Sequence, residues 1–549
     1  MKKNLYRFFT VLLFIVLSGF MNSDSDIYFK MSKAIDIYGR VYKEVALNYV
    51  DEVKPEEFML QGIQGMLEAL DPYTVYIDEK HQKDIELITK GKYGGIGATV
   101  GLYNDKITIV DLIEGYSAQR QGIRIGDVIK KVDSVLISKD NYDSLGDYLK
   151  REPGTEISIT IERDGVKGEI VFNLVSEEIE IKNLSYYGFV PENSNNAYLK
   201  LSSFSRSAGD EIRKALHELK IQKDINSIIL DLRGNPGGLL DAAIDVSEKF
   251  LAKGQKVVSI KGRDDSKEQI FNAQEEPISG KSNLVLLVDN GSASASEIVA
   301  GAIQDHDRGL IVGTKSYGKG LVQTVIPLSF NTSLKMTTAR YYTPSGRCIQ
   351  EIDYSQEKEI FNESVNDDST IYFTDNKREV HSNGGIVPDS TVTNSSESHL
   401  VRSLLAKGMF FKFATNYFNT SSKENINNEN DENLFNSFIK YLEKEDFNYK
   451  TQSELLISEL KESIKKEGYN SNLVEEIAKL NLKFDDVKKK ELNKYKSDII
   501  SEIKQELAAR NDGRKGRITE SLKYDNQFAA ALEILNKNKI YNKLLNSKN

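Results

Sequence analysis

The sequence predicts a multidomain protein of the α+β and α/β classes. It has an N-terminal helical segment, a strand-rich domain, an α/β core around a buried sheet and a long helical C-terminal tail. Its 549 residues are too many for one hydrophobic core. Apolar runs at Asn226–Leu232 and Asn283–Asp289, each followed by a helix-like stretch, are typical of buried parallel strands. After Pro388 the chain has no proline and is rich in charged, helix-forming residues, which predicts the tail.

The N-terminus has the pattern of an export signal. Lys2, Lys3 and Arg7 precede the short apolar run Phe8–Phe20. This order is typical of a secretory signal, and the run is shorter than the about 20 residues that span a bilayer. Residues 1–24 are therefore predicted to be a signal peptide or, because no small-x-small cleavage site follows, an uncleaved anchor. We expect the chain to be exported, either periplasmic or anchored to the inner membrane facing the periplasm.

Composition divides the remaining chain into four segments. Residues 25–91 carry apolar residues at helical spacing, which predicts the N-terminal helical segment. Residues 92–176 alternate apolar and polar residues between glycine-rich turns, as short strands do. The alternating strands and helices of the core occupy residues 177–395, and residues 396–549 form the helical tail.

The net charge and the small number of cysteine and histidine residues argue against several classes of function. Lys and Arg total 73 against 82 Asp and Glu, a net charge of -9, which argues against a nucleic-acid partner. The single cysteine, Cys348, excludes an intramolecular disulfide and a zinc site built from several thiolates. The five histidines show no metal-ligand spacing. We therefore predict no metal and no cofactor.

Two glycine-rich segments follow apolar strands. DLRGNPGG, Asp231–Gly238, allows close backbone approach, so that its N–H groups can face an anion; a tight turn with nothing bound explains it equally well. GTKSYGKGLVQ, Gly313–Gln323, is close to a phosphate-binding loop, but Gly320 stands where a magnesium-binding Ser or Thr is required. What remains is Lys319 between two glycines, either an exposed turn lysine or a group that the backbone brings close to another.

The segment NGSASASEIVAGAIQD places three serines at the start of a predicted helix. Ser292, Ser294 and Ser296 lie where the helix dipole and free N–H groups favour a developing negative charge. A purely structural explanation is also available, because Ser294 and Glu297 match the capping box S-x-x-E.

Together the three segments supply the parts of a nucleophilic site. A serine is a weak nucleophile unless a base takes its proton. A lysine can be that base when burial lowers its pKa and leaves it neutral. The glycine turn would supply the N–H groups of an oxyanion hole.

In this order the motifs resemble those of the carboxyl-terminal processing proteases, also called tail-specific proteases, secreted serine peptidases with a Ser–Lys dyad. The resemblance runs from Leu70–Ile77 to Gly384–Asp389. It includes GGIGATV, RIGDVI, REPGT, DLRGNPGG, GSASASEIVAGAIQD, GTKSYGKGLVQ and TARYYTPSGRCIQ. Seven motifs in family order are specific, although each alone is weak. The resemblance implies a ClpP/crotonase-like core and serine endopeptidase activity.

The resemblance also assigns roles to individual residues. The nucleophile would be Ser294, the middle serine of SASAS, and the base would be Lys319 of GKG. Gln323 resembles the glutamine that orients that lysine. The N–H groups of Ala295 and of a glycine in NPGG would form the oxyanion hole, with Gly237 preferred to Gly238.

The strand-rich segment resembles the PDZ domain of the family. Gly95, Ile96, Gly97 and Ala98 would form its carboxylate-binding loop, which grips the C-terminus of a peptide added as a β-strand. The implied partners are protein or peptide substrates with free apolar C-termini, and the resemblance leaves room for an adaptor protein and a homo-oligomer. The alternative is a noncatalytic PDZ scaffold or holdase that captures such tails without cutting them.

Overall fold

A computed structural model describes most of the chain. It covers residues 24–79, 81–82, 91–103, 105–264, 267–352, 354, 370–382, 384–393, 398–420, 430–468 and 471–546. The predicted signal run Phe8–Phe20 lies outside these residues. No helix in the described ranges is long and apolar enough to cross a membrane. The chain divides into two compact units, one made of Met1–Glu79, Gln323–Thr337 and Tyr354–Val365, the other of the remaining residues.

The first unit begins with two helices, α1 (Asp24–Asn48) and α2 (Pro55–Glu68), as the helical spacing predicts. Helix α2 starts with a proline at its first position and two glutamates in its first turn, both favourable at a helix N-terminus. A short strand, β1 (Val75–Ile77), follows and pairs antiparallel with Ser333–Lys335. This strand is an exception within the segment predicted to be helical, and its β-branched and aromatic residues explain it.

The strand-rich domain is built mainly from antiparallel hairpins. Its elements are β2 (Lys92–Gly95), β3 (Ala98–Tyr103), β4 (Lys106–Leu112), α3 (Ser117–Gln121), β5 (Val128–Val132), β6 (Val135–Leu136), α4 (Leu145–Leu149), β7 (Glu156–Glu162), β8 (Glu169–Val175) and β9 (Glu177–Glu180). One sheet has the order β3-β4-β5-β7-β8, with β6 on β5, and β2 pairs with β9 separately. In the described residues β3 has β4 as its partner on one side, so its other edge is open.

The core alternates strands and helices. Its elements are β10 (Leu184–Phe189), β11 (Asn196–Leu201), α5 (Ala208–Gln222), β12 (Ser227–Asp231), α6 (Leu240–Glu248), β13 (Lys256–Gly262), β14 (Gln269–Asn272), β15 (Asn283–Val288), α7 (Ala295–Asp305), β16 (Leu310–Gly313), β17 (Leu321–Pro327), β18 (Ser333–Tyr342), β19 (Ile371–Phe373), β20 (Glu379–His381) and β21 (Ser390–Thr391). The main sheet has the order β10-β11-β12-β15-β16-β21 and is parallel from β11 onward.

Strand order in the main sheet brings the predicted site together. Strands β12 and β15 are neighbours, with Asp231 opposite Leu287, so the turns that follow them meet at one edge of the sheet. Ligand sites of parallel sheets lie at this carboxyl edge. Helices α5, α6 and α7 pack with the sheet in one hydrophobic cluster.

The tail is helical, as predicted. Its helices are α8 (His399–Ala406), α9 (Met409–Thr420), α10 (Asp431–Lys444), α11 (Gln452–Lys466), α12 (Ser471–Lys494), α13 (Lys496–Ser521), α14 (Asn526–Asn536) and α15 (Asn538–Asn546). Helices α8, α9, α10 and α13 contribute to a core of their own, centred on Phe410, Phe413 and Phe438. The predicted fold class, with helical N-terminus, β domain, α/β core and helical tail, is thus confirmed.

Candidate active site

The serine turn, residues 289–297, joins β15 to α7. Ser294 takes the N-cap position with φ 54° and ψ −112°, a backbone conformation that side-chain-bearing residues rarely adopt. Ser292 and Ser296 are fully buried, and their hydroxyls donate to Leu232 O and Asn235 O, both at 2.9 Å. Ser294 is half-buried. Of the three serines, Ser294 therefore has a side chain that a substrate can reach.

The capping box that the sequence predicts is present at this turn. The Glu297 carboxylate accepts from the Ser294 N–H at 2.8 Å and closes the first turn of α7. This bond fixes the Ser294 backbone through its N–H and does not involve the hydroxyl. A hydroxyl that caps a helix acts as an acceptor, so the proton of the Ser294 hydroxyl stays free for another acceptor. Capping and nucleophilic roles of Ser294 are therefore compatible.

Glu297 connects the serine turn to the lysine loop, residues 313–320. It is fully buried, and Oε2 accepts from the N–H groups of Ser294 at 2.8 Å and Lys319 at 2.9 Å. Oε1 accepts from the Gly318 N–H at 2.7 Å and the Ser316 hydroxyl at 2.5 Å. Burial raises the pKa of the Glu297 carboxyl above its ordinary 4.5, although these four bonds oppose the shift. One carboxylate thus holds the backbones of Ser294 and Lys319 side by side.

Tyr341, from β18, makes a second connection between the same two residues. Its hydroxyl lies 3.1 Å from Ser294 O and 2.5 Å from Lys319 O. The side chain is buried, and burial raises the pKa of Tyr341 well above 10, so the hydroxyl keeps its proton. The two candidate catalytic residues are therefore fixed through both their N–H groups and their carbonyls.

The glycine turn, residues 231–238, lies directly against the serine turn. Gly237 has φ 98°, and a Cβ there would come within 3.0 Å of the Ser294 Cβ and 2.9 Å of the Ala295 nitrogen. A Cβ on Gly238 would meet Phe204 O at 2.3 Å. The geometry therefore brings Gly237 to the serine, while its N–H donates to Asn235 Oδ1 at 2.9 Å. Within the described ranges no acceptor is bonded to the Ala295 N–H.

Two further contacts lock the turns together. Asp289 Oδ1 accepts from the Gly234 N–H and the Gly291 N–H, both at 2.9 Å. The Ala293 N–H donates to Asn235 O at 3.1 Å. The serine turn and the glycine turn thus behave as one hydrogen-bonded unit.

Gln323 lies on β17 and belongs to the first compact unit, whereas Ser294 and Lys319 belong to the second. Its Nε2 is buried without a hydrogen-bond partner in the described part of the chain. Its proposed role in orienting Lys319 stays a prediction.

The predicted carboxylate-binding loop, Gly95–Ala98, connects β2 to β3. The carbonyls of Ile96 and Gly97 accept from Ala118 and Ile113 at 3.0 and 2.9 Å. Their N–H groups have no acceptor among the described residues. The Ile96 side chain is 2% exposed and packs in the domain core, so this residue can contact a ligand through its backbone.

No group of three or more His, Cys, Asp or Glu side chains in the described ranges is arranged to hold a metal ion. Sequence reasoning missed the connecting roles of Glu297, Tyr341 and Asn235. For Glu297 the capping signature was a signal, but it predicts a local bond to Ser294 and nothing about the lysine loop. For Tyr341 and Asn235 the sequence carries no such signal, because their partners in the serine turn and the lysine loop are distant in sequence.

The serine at a helix N-terminus, the lysine on the neighbouring loop and the glycine turn beside them are the parts that a serine peptidase requires, and the β domain that precedes them is of a peptide-binding kind. Family models match the same segments. Residues 195–357 match "Peptidase family S41", residues 94–174 match "PDZ domain", and residues 400–535 match "Probable PDZ-protease, C-terminal helical domain".

The chain is similar in sequence to two proteins named carboxy-terminal processing proteases. The chain is 38% identical over 334 residues to a carboxy-terminal-processing protease of Bartonella bacilliformis, covering 60% of this chain and 75% of that protein. It is 31% identical to the carboxy-terminal processing protease CtpB of Bacillus subtilis, covering 58% and 66%. The solved photosystem II D1 C-terminal processing protease is 25% identical, with a TM-score of 0.36, over 64% of this chain and 85% of that one.

The chain belongs to the carboxy-terminal-processing proteases. The predicted family and the predicted enzyme class are confirmed: it is a serine-type C-terminal processing peptidase with a PDZ domain. A PDZ-containing protease implies protein or peptide substrates, which confirms that part of the predicted partners; their free apolar C-termini, the adaptor protein and the homo-oligomer stay predictions.

Proposed function

We propose that this protein is an exported endopeptidase that cleaves through a dyad of Ser294 and Lys319 and recognises apolar C-terminal tails through its PDZ domain. One observation carries the catalytic part of the proposal. Ser294 is the half-buried serine of the turn, and one buried carboxylate bonds to its N–H and to that of Lys319.

In the acylation step, neutral Lys319 Nζ accepts the proton of Ser294 Oγ while Oγ attacks the carbonyl carbon of the scissile peptide bond. The C–N bond then breaks, and the Lys319 ammonium returns the proton to the leaving nitrogen. The products of this step are a free amine and an ester between the substrate and Ser294. In the second half, Lys319 takes a proton from water, hydroxide attacks the ester carbon, and Ser294 Oγ leaves with that proton.

The oxyanion of the tetrahedral intermediate requires N–H donors beside Ser294. The Ala295 N–H is at the start of α7, where the helix dipole adds to its effect. The Gly237 N–H is the second candidate, and it would share its proton between Asn235 Oδ1 and the oxyanion. Gly238 remains the alternative.

For recognition, the N–H groups of Ile96 and Gly97 would donate to the terminal carboxylate of the substrate, and the open edge of β3 would pair with its last residues. An apolar terminal side chain would then face the domain. Binding there raises the local concentration of the substrate at Ser294. Export is proposed from the basic and apolar pattern of residues 1–24.

The catalytic proposal is tested with Ser294→Ala and Lys319→Ala, assayed on an unfolded protein substrate. Each change should abolish cleavage, and the double variant should be no worse, because the two residues act as a unit. Losing only a cap would cost about 1 kcal/mol of stability, which a melting experiment measures separately. Activity in Ser294→Ala combined with inactivity in Ser292→Ala or Ser296→Ala would contradict the assignment.

Recognition is tested with one unfolded substrate in three forms: with a free apolar tail, with the same tail amidated, and ending in Asp-Asp. We expect a lower KM for the free apolar tail. Equal KM values for all three would contradict the proposal, and tail binding without any cleavage would favour the noncatalytic scaffold. Export is tested by fractionating cells that express the full chain, where a purely cytoplasmic product would contradict it.

A further inference from the structure

The C-terminal helices cover the face of the main sheet that α5, α6 and α7 leave open. Tyr198, Ile229 and Val285 of the sheet form one buried cluster with residues of α14 and α15. Phe528 of α14 meets the Tyr198 ring edge-on, with ring centroids 5.5 Å apart. The last two helices of the tail are therefore part of the core of the protease domain.

The same helix reaches the glycine turn through an arginine. The guanidinium of Arg233 donates to both carboxylate oxygens of Asp231, at 3.0 and 2.6 Å. Its remaining nitrogen contacts Asp525 Oδ2 at 2.6 Å and donates to Gln527 Oε1 at 3.0 Å. The side chains of Arg233 and Asp525 are 12% and 15% exposed, so these bonds are shielded from water.

Charge explains why the second carboxylate is needed. Asp231 is fully buried and forms ion pairs with two cationic side chains, Lys200 at 3.0 Å and Arg233. Without another anion this group would carry a net positive charge in a poorly hydrated place, which is costly. Asp525 supplies the balancing charge. It also accepts from the N–H groups of Gln527 and Phe528, at 2.9 and 3.0 Å, and so caps α14.

The position of Arg233 sets the position of the glycine turn. Its N–H donates to Asp231 Oδ1 at 3.0 Å, and its carbonyl accepts from Lys200 Nζ at 2.8 Å. The next residue, Gly234, begins the segment that ends with Gly237 against Ser294. A change in the side-chain bonds of Arg233 is therefore transmitted directly to the backbone that faces the serine.

We propose that Asp525 is a positioning residue of the active site, which acts through Arg233 to hold the oxyanion-hole turn, so that the C-terminal helical region completes the catalytic centre. The proposal rests on the proposed function of Ser294 and Gly237. The sequence of the C-terminal helical region does not by itself indicate a role for that region.

The test uses the full-length protein with Asp525→Asn and Asp525→Glu. Asparagine caps a helix as well as aspartate does but carries no charge, whereas glutamate keeps the charge and is a poor cap. We expect Asp525→Asn to lower kcat about 10-fold to 100-fold with an unchanged KM, because the turn loses its alignment. Asp525→Glu should recover part of kcat while its melting temperature falls. The matched control is Asp431→Asn, which removes a carboxylate paired with Lys504 within the tail at 2.6 Å.

A positioning role would be supported if Asp525→Glu, which keeps the charge, had the higher kcat of the two variants, and Asp525→Asn, which keeps the cap, had the higher melting temperature. Activity that falls together with melting temperature, so that Asp525→Glu is the weaker enzyme, would overturn it. In an Arg233→Ala background Asp525→Asn should have little further effect on kcat, and a full additional loss would also overturn it. Cleavage by Ser294→Ala would contradict the proposed function itself, whereas an inactive Ser294→Ala with wild-type kcat in Asp525→Asn would contradict the inference alone.

Discussion

Two loops of this chain leave backbone N–H groups open in the described structure, the serine turn in the core and the Gly95–Ala98 loop of the PDZ domain. In the core, carboxylates that accept several N–H groups hold the turns: Glu297 accepts from Ser294, and Asp289 accepts from Gly234. Hydrogen bonds to an ionised acceptor are shorter and stronger than those between neutral groups.

Among the described residues no carboxylate accepts from the N–H groups of the PDZ loop. Its carbonyls accept from two backbone N–H groups. Gly97 has a φ of 78° and lies against the side chain of Tyr116. Hydrogen bonds between neutral backbone groups are weaker than the bonds to carboxylates in the core turns. This difference fits the two proposed tasks, because bond making is more sensitive to small displacements than tail binding is. We therefore expect substitutions at the supports of the core turns to cost more activity than comparable ones in the PDZ loop.

The largest effect is expected for Glu297→Gln. An amide group would face four donors with one acceptor, leaving at least one buried N–H unpaired at a cost of about 1–3 kcal/mol. Because the same bonds align Ser294 and Lys319, kcat should fall about 100-fold to 1,000-fold.

The matched control for this variant is Glu248→Gln, in the same domain. Its carboxylate accepts from Gln274 and Glu275 at 2.8 and 3.1 Å, at the end of α6 and away from the serine turn. It should lose stability with little change in kcat. Equal loss of activity in both variants would show that Glu297 stabilises the fold and nothing more.

Gly237→Ala is expected to have the next largest effect. Its Cβ would lie 2.7 Å from Ala293 O, in a conformation that already disfavours a side chain, so the two turns must separate. We expect kcat to fall about 100-fold, as for the loss of one oxyanion donor. Gly234→Ala is the control, because its φ is also positive but no atom lies within 4 Å of the added Cβ. If both variants lost the same activity, backbone strain rather than contact with the serine turn would be responsible.

Part of this architecture can be predicted from the sequence alone. The strands, the tail helices and the meeting of two turns follow from local patterns and from the rule that parallel strands place their turns at one edge. Burial separates Ser294 from Ser292 and Ser296, and burial depends on the packing of Leu232 and Asn235 from another turn. No local pattern contains that information.

The supporting contacts of the site are even less visible in sequence. Arg233 and Gln527 are 294 positions apart, and their hydrogen bond exists because α14 packs on the main sheet. The short strand Val75–Ile77 has residues that favour a strand, but its pairing partner, Ser333–Lys335, is distant in sequence and cannot be found from a local pattern. Long-range pairing of polar groups is decided by tertiary structure, which explains why motifs point to candidate reacting residues and miss the residues that hold them.

Acid should weaken the core through Asp231. Burial raises the pKa of this carboxyl, but Lys200 and Arg233 outweigh burial and hold the pKa well below its ordinary 3.8. The unfolded chain therefore takes up the proton first as pH falls. The stabilisation by ionised Asp231 is full at pH well above 3.8 and is lost as pH falls below it.

The measurement is the free energy of unfolding of the wild type and of Asp231→Asn at pH 7 and at several values between pH 5 and pH 3. The difference between the two proteins should shrink as pH falls. Asp133→Asn, in the PDZ domain, is the control, because Asp133 bonds to Ser158 and pairs with Arg151 in a more exposed place. Its effect should be smaller and should decrease in high salt. A pH-independent difference for Asp231→Asn would mean that the carboxylate contributes no net charge stabilisation.

The smallest effect is expected in the PDZ loop, for Gly97→Ala. The added Cβ would lie 2.4 Å from the Tyr116 Cβ at a positive φ, so the loop must shift and its N–H groups move away from a bound carboxylate. For a substrate with a free apolar tail we expect KM to rise about 10-fold with little change in kcat, since uniform binding alone is lost. With the amidated substrate the variant and the wild type should cleave equally well.

The matched control is Gly115→Ala. Gly115 has a similar φ of 85° and open space around the added Cβ, so this change should leave KM unchanged. A fall in kcat for Gly97→Ala on both substrates would break the comparison between the two loops, because it would make the PDZ loop a support of the chemistry as well as of recognition.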